Sequence, residues 1–497
     1  MNSNLYKDFV RHNVGGLLTH VAVYTQGLFI TPILIKSVGV ELYGGYGLIA
    51  ISLGFLFGIS SFGVGYRSHR YLPGANTSQD RRDLFYPPFF FQLCSLGVLS
   101  LVILLLEPVL QSWLVKEKVE FNLLLAPLYL FCMMLFAQFT DFFRYTNRIN
   151  IMNVAGVLFP YLGIGMMLAV VRYNLAWVTI NNLVLIQVLA MGIVTLPLMV
   201  RAIREIGLAL SRQSFDQYWT DFRLGLPLVL QNITDNILGV GDRYVLALFM
   251  SVIAVGYYNP AYGLGSLILF FPRAVGTALP QLLSRAVDNG QHVQAQRMLD
   301  YTISMFLLVG IPFVAGSAAL SKPLLVLFAN REVADNAYLV VPLVAAGSVF
   351  LGLTIILSNV LFVNKKTGAL FRINLIAASV NLVLNVILIS VFKNIVVAGV
   401  TTLLSYLIAF ALFLRAVATD WPLDFRLRML LKSALAAVVM AVGLFWTGSA
   451  FPARQFEPVF LLGEILVGAL VYVAVALMSG AISKHELTAL VRVGVSS

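Results

Sequence analysis

Runs of about 20 apolar residues, each long enough to cross about 30 Å of hydrocarbon, follow one another along this 497-residue chain. In lipid only helices and closed barrels satisfy their own backbone groups. Barrel strands would read as short alternating segments, so the pattern specifies an all-α integral membrane protein. The runs lie near 14–36, 44–64, 86–106, 121–141, 151–171, 177–200, 224–249, 252–272, 302–321, 337–362, 373–391, 396–414, 433–449 and 458–479, predicting fourteen transmembrane helices. Composition agrees. The chain is 60% hydrophobic and 11% charged, against about 45–50% and about 25% for soluble domains.

Basic residues set the orientation. The N-terminus, the even-numbered turns and the C-terminus carry 24 of the 33 Lys and Arg, the intervening turns carry 8, and Arg243 sits inside a span. Positive charge accumulates on the cytoplasmic side, which predicts a multi-pass protein with both termini in the cytoplasm. The net charge of +11 is spread over every inner turn, so no nucleic-acid partner is implied.

Catalysis has little room here. The longest segments between spans, 65–85, 201–223, 273–301 and 415–432, are all on the inner side. The chain holds no GxxxxGK[ST], HExxH or paired CxxC motif, so no cofactor, metal site or enzymatic activity is expected. Cys94 and Cys132 both fall within spans, and no disulfide framework is implied. The first span is too long for a cleavable signal and lacks a small-residue cleavage site.

A repeat divides the chain. "VGVELYGGYGL" (38–48) joins spans 1 and 2, and "IAVGYYNPAYGL" (253–264) joins spans 7 and 8, offset by 216 residues. Many transporters are built from such repeats, with the substrate between the halves. We therefore expect a six-helix N-terminal lobe (1–200), a linker (201–223), a six-helix C-terminal lobe (224–415) related to the first by a pseudo-two-fold, and two additional helices with a tail (416–497). The linker mixes Ile203, Ile206, Leu208 and Leu210 with Arg201, Arg204 and Arg212. That pattern predicts an amphipathic helix on the membrane surface.

Span 7 is unusually polar. In "QNITDNILGVGDRY" (231–244), Gln231, Asn232, Asp235, Asn236, Asp242 and Arg243 share about 140° of helix arc, with Ile233, Ile237 and Val240 opposite. A charge at the bilayer centre costs about 2.5–3.5 kcal/mol on insertion scales, so such groups face a bundle interior or a wet cavity. Adjacent helical residues do not face each other; Asp242 and Arg243 are not expected to pair. Span 1 carries a milder stripe of Asn13, His20, Tyr24, Gly27 and Thr31, and span 11 a stripe of Asn374, Asn381 and Asn385 that suits interhelical packing. Glu464 in span 14 reads as a buried structural carboxyl.

Cations gather at the inner ends of spans. Arg67 follows span 2, Arg273 ends span 8, and in "QFTDFFRYTNR" at the end of span 4 Asp141 can reach Arg144 at i+3. Guanidinium groups suit phosphate because their planar fork donates two parallel hydrogen bonds.

These residues resemble a known family. "LYGGYGL", the block "GDRYVLALFMSVIAVGYYNPAYGL" with the later "ALPQLLSR", and "NLIAASVNLVLNVIL" together resemble the polysaccharide transporter family of the multidrug/oligosaccharidyl-lipid/polysaccharide (MOP) exporter superfamily. The likeness covers most of 10–415; "NIVVAG" (394–399) departs from the family's Gly-x-x-Gly-Ala stretch. The resemblance implies two lobes around a cavity that opens alternately to either side. It implies a flippase for a polyprenyl-pyrophosphate-linked oligosaccharide in the bacterial inner membrane, working beside membrane lipids, a polysaccharide polymerase and glycosyltransferases. Fourteen spans are similar to the peptidoglycan-precursor branch, whose last two helices form a groove for the lipid tail. On this reading Arg67, Arg144 and Arg273 attract the pyrophosphate, while His20, Tyr24, Asn232, Asp235 and Asn236, with Asp242 and Arg243 beyond them, line the sugar path. The alternatives are a multidrug or cation antiporter of the same superfamily, whose acidic residue in span 1 is missing from 14–36, and a membrane-embedded glycan polymerase or ligase.

Overall fold

The computed structural model describes residue 22 and residues 25–62, 65–116, 119–208, 215–452 and 454–481. Among these there is helix and turn but no strand. In chain order the helices are α1 (25–38), α2 (Val40–Ser60), α3 (Tyr66–Tyr71), α4 (Ser78–Leu105), α5 (Glu107–Lys116), α6 (Leu125–Tyr145), α7 (Ile149–Tyr173), α8 (Ile180–Ile206) and α9 (Phe215–Phe249). There follow α10 (Val252–Gly265), α11 (Phe270–Asp288), α12 (His292–Phe328), α13 (Arg331–Ala337), α14 (Val340–Val363), α15 (Thr367–Phe392), α16 (Ile395–Ala418), α17 (Leu427–Ala450) and α18 (Pro458–Met478).

Twelve helices among the described residues are long and apolar enough to span a membrane, counting α10 and α11 as one. The expected fourteen is thus not reached. Residues 14–21, 23 and 24 of the first expected span, 14–36, lie outside the described residues, and the rest of it is seen as the start of α1. The seventh is present as α9, but its apolar run is broken by the polar residues of 231–243, and it is not among the twelve.

Helices overrun the segments that hydropathy assigns to loops. α12 has 37 residues, about 55 Å of helix at 1.5 Å per residue, well beyond the hydrocarbon thickness. Residues 201–206 complete α8 and 215–223 open α9, while 209–214 lie outside the described residues. Arg273 does not end a helix: after a short 3-10 turn at Ser266–Leu269, α11 carries helix on to Asp288. Both repeat motifs open a helix just after a break, at Gly39 before α2 and at Ser251 before α10. Gly39 has φ 90, a conformation that only glycine adopts without strain.

The chain divides into two compact units, residues 1–240 with 251–253, and 241–250 with 254–497; the first boundary falls inside α9. In the first unit α4, α6, α7 and α8 pack around Phe85, Phe139, Phe142 and Phe143, whose rings lie 5.4–5.5 Å apart in edge and tilted contacts. One end of this core is tied by Glu205 on α8, which accepts from Arg81 Nη1 at 2.5 Å and from both terminal nitrogens of Arg148 at 2.5 and 3.1 Å. Beside it, the carbonyls that close α8 are taken by Arg82 Nε on Ile206 O and Tyr86 Oη on Gly207 O, both at 2.7 Å. Such partners satisfy the acceptors that every helix C-terminus leaves open.

In the second unit α14 is the most enclosed span, packed against α11, α12 and α16. α17 and α18 seat on α12 through Met305, Leu308, Leu320, Ala436, Met440 and Leu461. Tyr472 Oη on α18 donates to Leu308 O on α12 at 2.8 Å and stands 2.8 Å from Ser433 Oγ. Leu308 lies four residues before Pro312, which has no N–H to offer that carbonyl.

Candidate functional site

The polar edge of α9 is split between the two units. In the first, side chains pair along the helix: Gln231 Nε2 donates to Asp235 Oδ1, and Asn236 Nδ2 donates to Asn232 Oδ1 and O, each at 2.9 Å. These are i,i+4 contacts, the spacing at which helical side chains meet. Asn232 and Asp235 are exposed and Asn236 is half-buried. The Asn232 amide lies against α2, where a Cβ built on Gly58 would stand 3.0 Å from its Nδ2. The arrangement leaves a carboxylate and two amides with hydrogen-bonding capacity outward.

In the second unit the edge is closed. Asp242 and Arg243 are 3% and 5% exposed, and Arg243 Nη1 donates to Asp242 Oδ1 at 2.6 Å. This corrects the expectation that neighbours on one helix would not pair. The long Arg243 side chain lies over the Tyr262 ring of α10, 3.9 Å from its centroid, with Nε donating to Asn259 Oδ1 at 3.2 Å. Held there, its terminal nitrogen swings back to Asp242. The other carboxylate oxygen accepts from Tyr258 Oη at 2.6 Å, and the Thr402 hydroxyl of α16 stands 3.5 Å away. Tyr262 Oη and Tyr406 Oη are 3.2 Å apart. A buried charge pair is tolerable only when its remaining lone pairs and protons are met, and here two tyrosines, an asparagine and a threonine meet them.

A polar seam continues into α15. Thr401 Oγ1 donates to Asn385 Oδ1 at 2.5 Å, Asn385 Nδ2 to Asn381 Oδ1 at 2.9 Å, and Asn381 Nδ2 to Ser405 Oγ at 3.3 Å. The span 11 asparagines therefore join α15 to α16, as interhelical hydrogen bonds do in membranes. Glu464 is buried and accepts from Thr447 Oγ1 at 2.8 Å.

The other predicted residues scatter. His20 and Tyr24 lie outside the described residues. Arg67 lies on α3. Arg144 ends α6, with its side chain 54% exposed, 4.0 Å from Asp141 and 5.9 Å from the Tyr145 ring centroid. Arg67 and Arg144 belong to the first unit and the exposed Arg273 to the second. Sequence reasoning missed Tyr258, Asn259, Tyr262, Tyr406 and Thr402. The signal for three of them was present in "GYYNPAYGL", where Tyr258 and Tyr262 are spaced i,i+4 beside the helix that carries the charges. No group of three or more His, Cys, Asp or Glu among the described residues could hold a metal ion.

Comparison with known proteins fits this architecture. Residues 227–387, which hold the α9 edge and the α15 seam up to Asn385, match the MatE family model. The chain superposes on the lipid II flippase MurJ in its inward closed conformation with a TM-score of 0.64, at 16% identity, covering 94% of this chain and 98% of that one. It superposes on an inward-facing multidrug resistance MATE family transporter of the MOP superfamily with a TM-score of 0.63, at 13% identity over 80% and 94% of the two chains. The chain shares its fold with these two proteins. The resemblance read from the sequence is borne out at that level. Among curated proteins it is 22% identical over 288 residues to the probable low-salt glycan biosynthesis flippase Agl15 of Haloferax volcanii. That match takes in 58% of this chain and 60% of Agl15.

Proposed function

We propose that the protein is a flippase that carries an oligosaccharide linked to a polyprenyl pyrophosphate from the cytoplasmic to the outer leaflet of a bacterial inner membrane by alternating access. The observation that carries this reading is the likeness to a lipid II flippase, which extends over 94% of this chain and 98% of that one. An apolar cleft of about 490 Å³ between α17 and α18, lined by Met440, Leu444, Trp446, Phe460 and Val467, supports a place for the lipid tail. Asn232, Asp235 and Asn236 offer hydrogen-bonding groups of the kind a glycan takes. Arg67, Arg144 and Arg273 supply charge for the pyrophosphate, and guanidinium groups meet phosphoryl oxygens in pairs. Asp242 and Arg243, closed on each other, hold α9, α10 and α16 in place rather than bind cargo.

Reconstitution tests the reading. In proteoliposomes, Arg144→Ala/Arg273→Ala is expected to slow flipping of a fluorescent lipid-linked sugar at least tenfold, since each charge-assisted contact contributes about 1.5–3 kcal/mol. Unchanged flipping would remove the headgroup assignment. The second reading is a multidrug antiporter, favoured by the MatE match and the MATE structure. Drug efflux by the reconstituted protein, with no movement of the labelled lipid, would replace the first reading with the second.

A further inference from the structure

At the end of the second unit that the Lys and Arg count assigns to the cytoplasm, the start of α17 and the end of α18 enclose a cleft of about 440 Å³. Its wall includes Asp424, Arg426, Arg428, Met429, Lys432 and Gly480. Arg426 takes a left-handed conformation, φ 46, fixed by its N–H on Asp424 Oδ1 at 2.9 Å and by the Met429 N–H on its carbonyl at 2.7 Å. Lys432 Nζ reaches across to α18, 3.5 Å from where a Cβ on Gly480 would stand. Three cations and one carboxylate thus line the cleft. Asp300, whose Oδ1 is 3.5 Å from the Asp424 N–H, adds a second acid behind the wall. Among the described residues neither Arg428 nor Lys432 has an ion-pair partner.

An apolar ridge rises from the cleft. Leu427, Leu431 and Leu435, spaced one helical turn apart on α17, are 68%, 63% and 60% exposed, and Val438 and Val442 continue the line. A surplus of positive charge at the foot of an exposed apolar helix face matches one class of molecule: an amphiphile with an anionic head and acyl chains. We propose that this cleft binds the phosphoryl headgroup of an inner-leaflet lipid, a phosphomonoester or pyrophosphate, with the chains lying along α17. The leaflet rests on the orientation given above; the headgroup chemistry does not. A guanidinium and an ammonium on one turn of helix meet a dianionic phosphoryl group from two sides.

The test uses the full-length protein in detergent with an equimolar mixture of dioleoyl phosphatidate and dioleoyl phosphatidylcholine, read by native mass spectrometry. Each basic residue near an anionic surface is worth about fivefold in binding. Wild type should retain phosphatidate over phosphatidylcholine, and Arg428→Gln/Lys432→Gln should cut that preference by about 20-fold at low salt. Arg428→Lys, which keeps the charge, should preserve most of it and serves as the folding control. Displacement of phosphatidate by inorganic pyrophosphate would assign the site to the phosphoryl group alone, and resistance to it would assign the site to the intact lipid. Equal retention of the two lipids by wild type, or a preference that survives the double substitution, would overturn the proposal.

Discussion

The guanidinium carbon of Arg243 lies 3.9 Å from the centre of the Tyr262 ring, close enough for the ring face to hold the cation while its Nη1 bonds Asp242 at 2.6 Å. Two residues adjacent on one helix are thus joined through a third on the next. Removing one member of a buried pair strands the other without water, at about 3–5 kcal/mol. Arg243→Met and Asp242→Leu should each lower stability by that amount in thermal unfolding in detergent. The double substitution should cost clearly less than the two singles together, because neighbours that share an interaction are not additive. Additive losses would show that the pair is not the source of the cost.

Gly265 and Gly263 lie two residues apart on α10 and should respond with opposite sign to alanine. A Cβ on Gly265 would stand 2.7 Å from the Val341 carbonyl oxygen and 2.9 Å from Val344 Cβ, atoms that α14 cannot move. Overpacking of this kind costs about 1–3 kcal/mol. Nothing lies within 4 Å of the Cβ position at Gly263, and alanine there should gain up to about 1 kcal/mol of helix propensity. Parallel melting curves of Gly265→Ala and Gly263→Ala decide it.

Asp420, in the turn after α16, gives a pH dependence. Lys366 Nζ donates to its Oδ2 at 2.6 Å, helped by Asn364 Nδ2 at 3.2 Å, and the lysine hydrogen bond holds the carboxyl below its ordinary value. A group whose folded pKa is depressed binds fewer protons when folded. Its stabilisation is complete above the unfolded value, about 3.9 for aspartate, and is lost as pH falls through the folded value. Wild type should therefore melt above Lys366→Met near neutral pH, and the gap should close on acidification below about pH 4. A gap that does not change with pH contradicts this.

Accessibility tests the α9 edge. In a Cys94→Ser/Cys132→Ser background, Asn232→Cys, Asp235→Cys and Asn236→Cys should react with a membrane-impermeant thiol reagent. Ile233→Cys and Ile237→Cys, on the other side of the helix, should react at least tenfold more slowly, as thiols shielded from water do. The reverse order would turn the edge away from water.

Much of the fold was legible because hydrocarbon thickness dictates the length of an apolar run, and α14, α15, α16 and α18 lie where those runs predict. Helix ends were less so. Hydropathy stops at the interface, but backbone hydrogen bonding continues past it, which is why α11 and α12 fill most of an expected loop and α8 and α9 absorb much of 201–223. The polar edge of α9 was visible in its period, yet its partners were not. Tyr406 and Thr402 lie about 160 residues from Asp242 in sequence, and only the packing of α16 brings them near. The Arg81–Glu205–Arg148 clasp has the same cause: its members are 124 and 57 residues apart.

Tyr472 occupies the one carbonyl of α12 that Pro312 leaves without a helical donor. In hydrocarbon no water can replace that donor, and an unmet backbone oxygen there costs several kcal/mol. α18 thereby completes the hydrogen bonding of a helix laid down some 160 residues earlier. Without α17 and α18, α12 would carry an unmet carbonyl midway along its length, so the last two helices are part of what makes α12 a stable span.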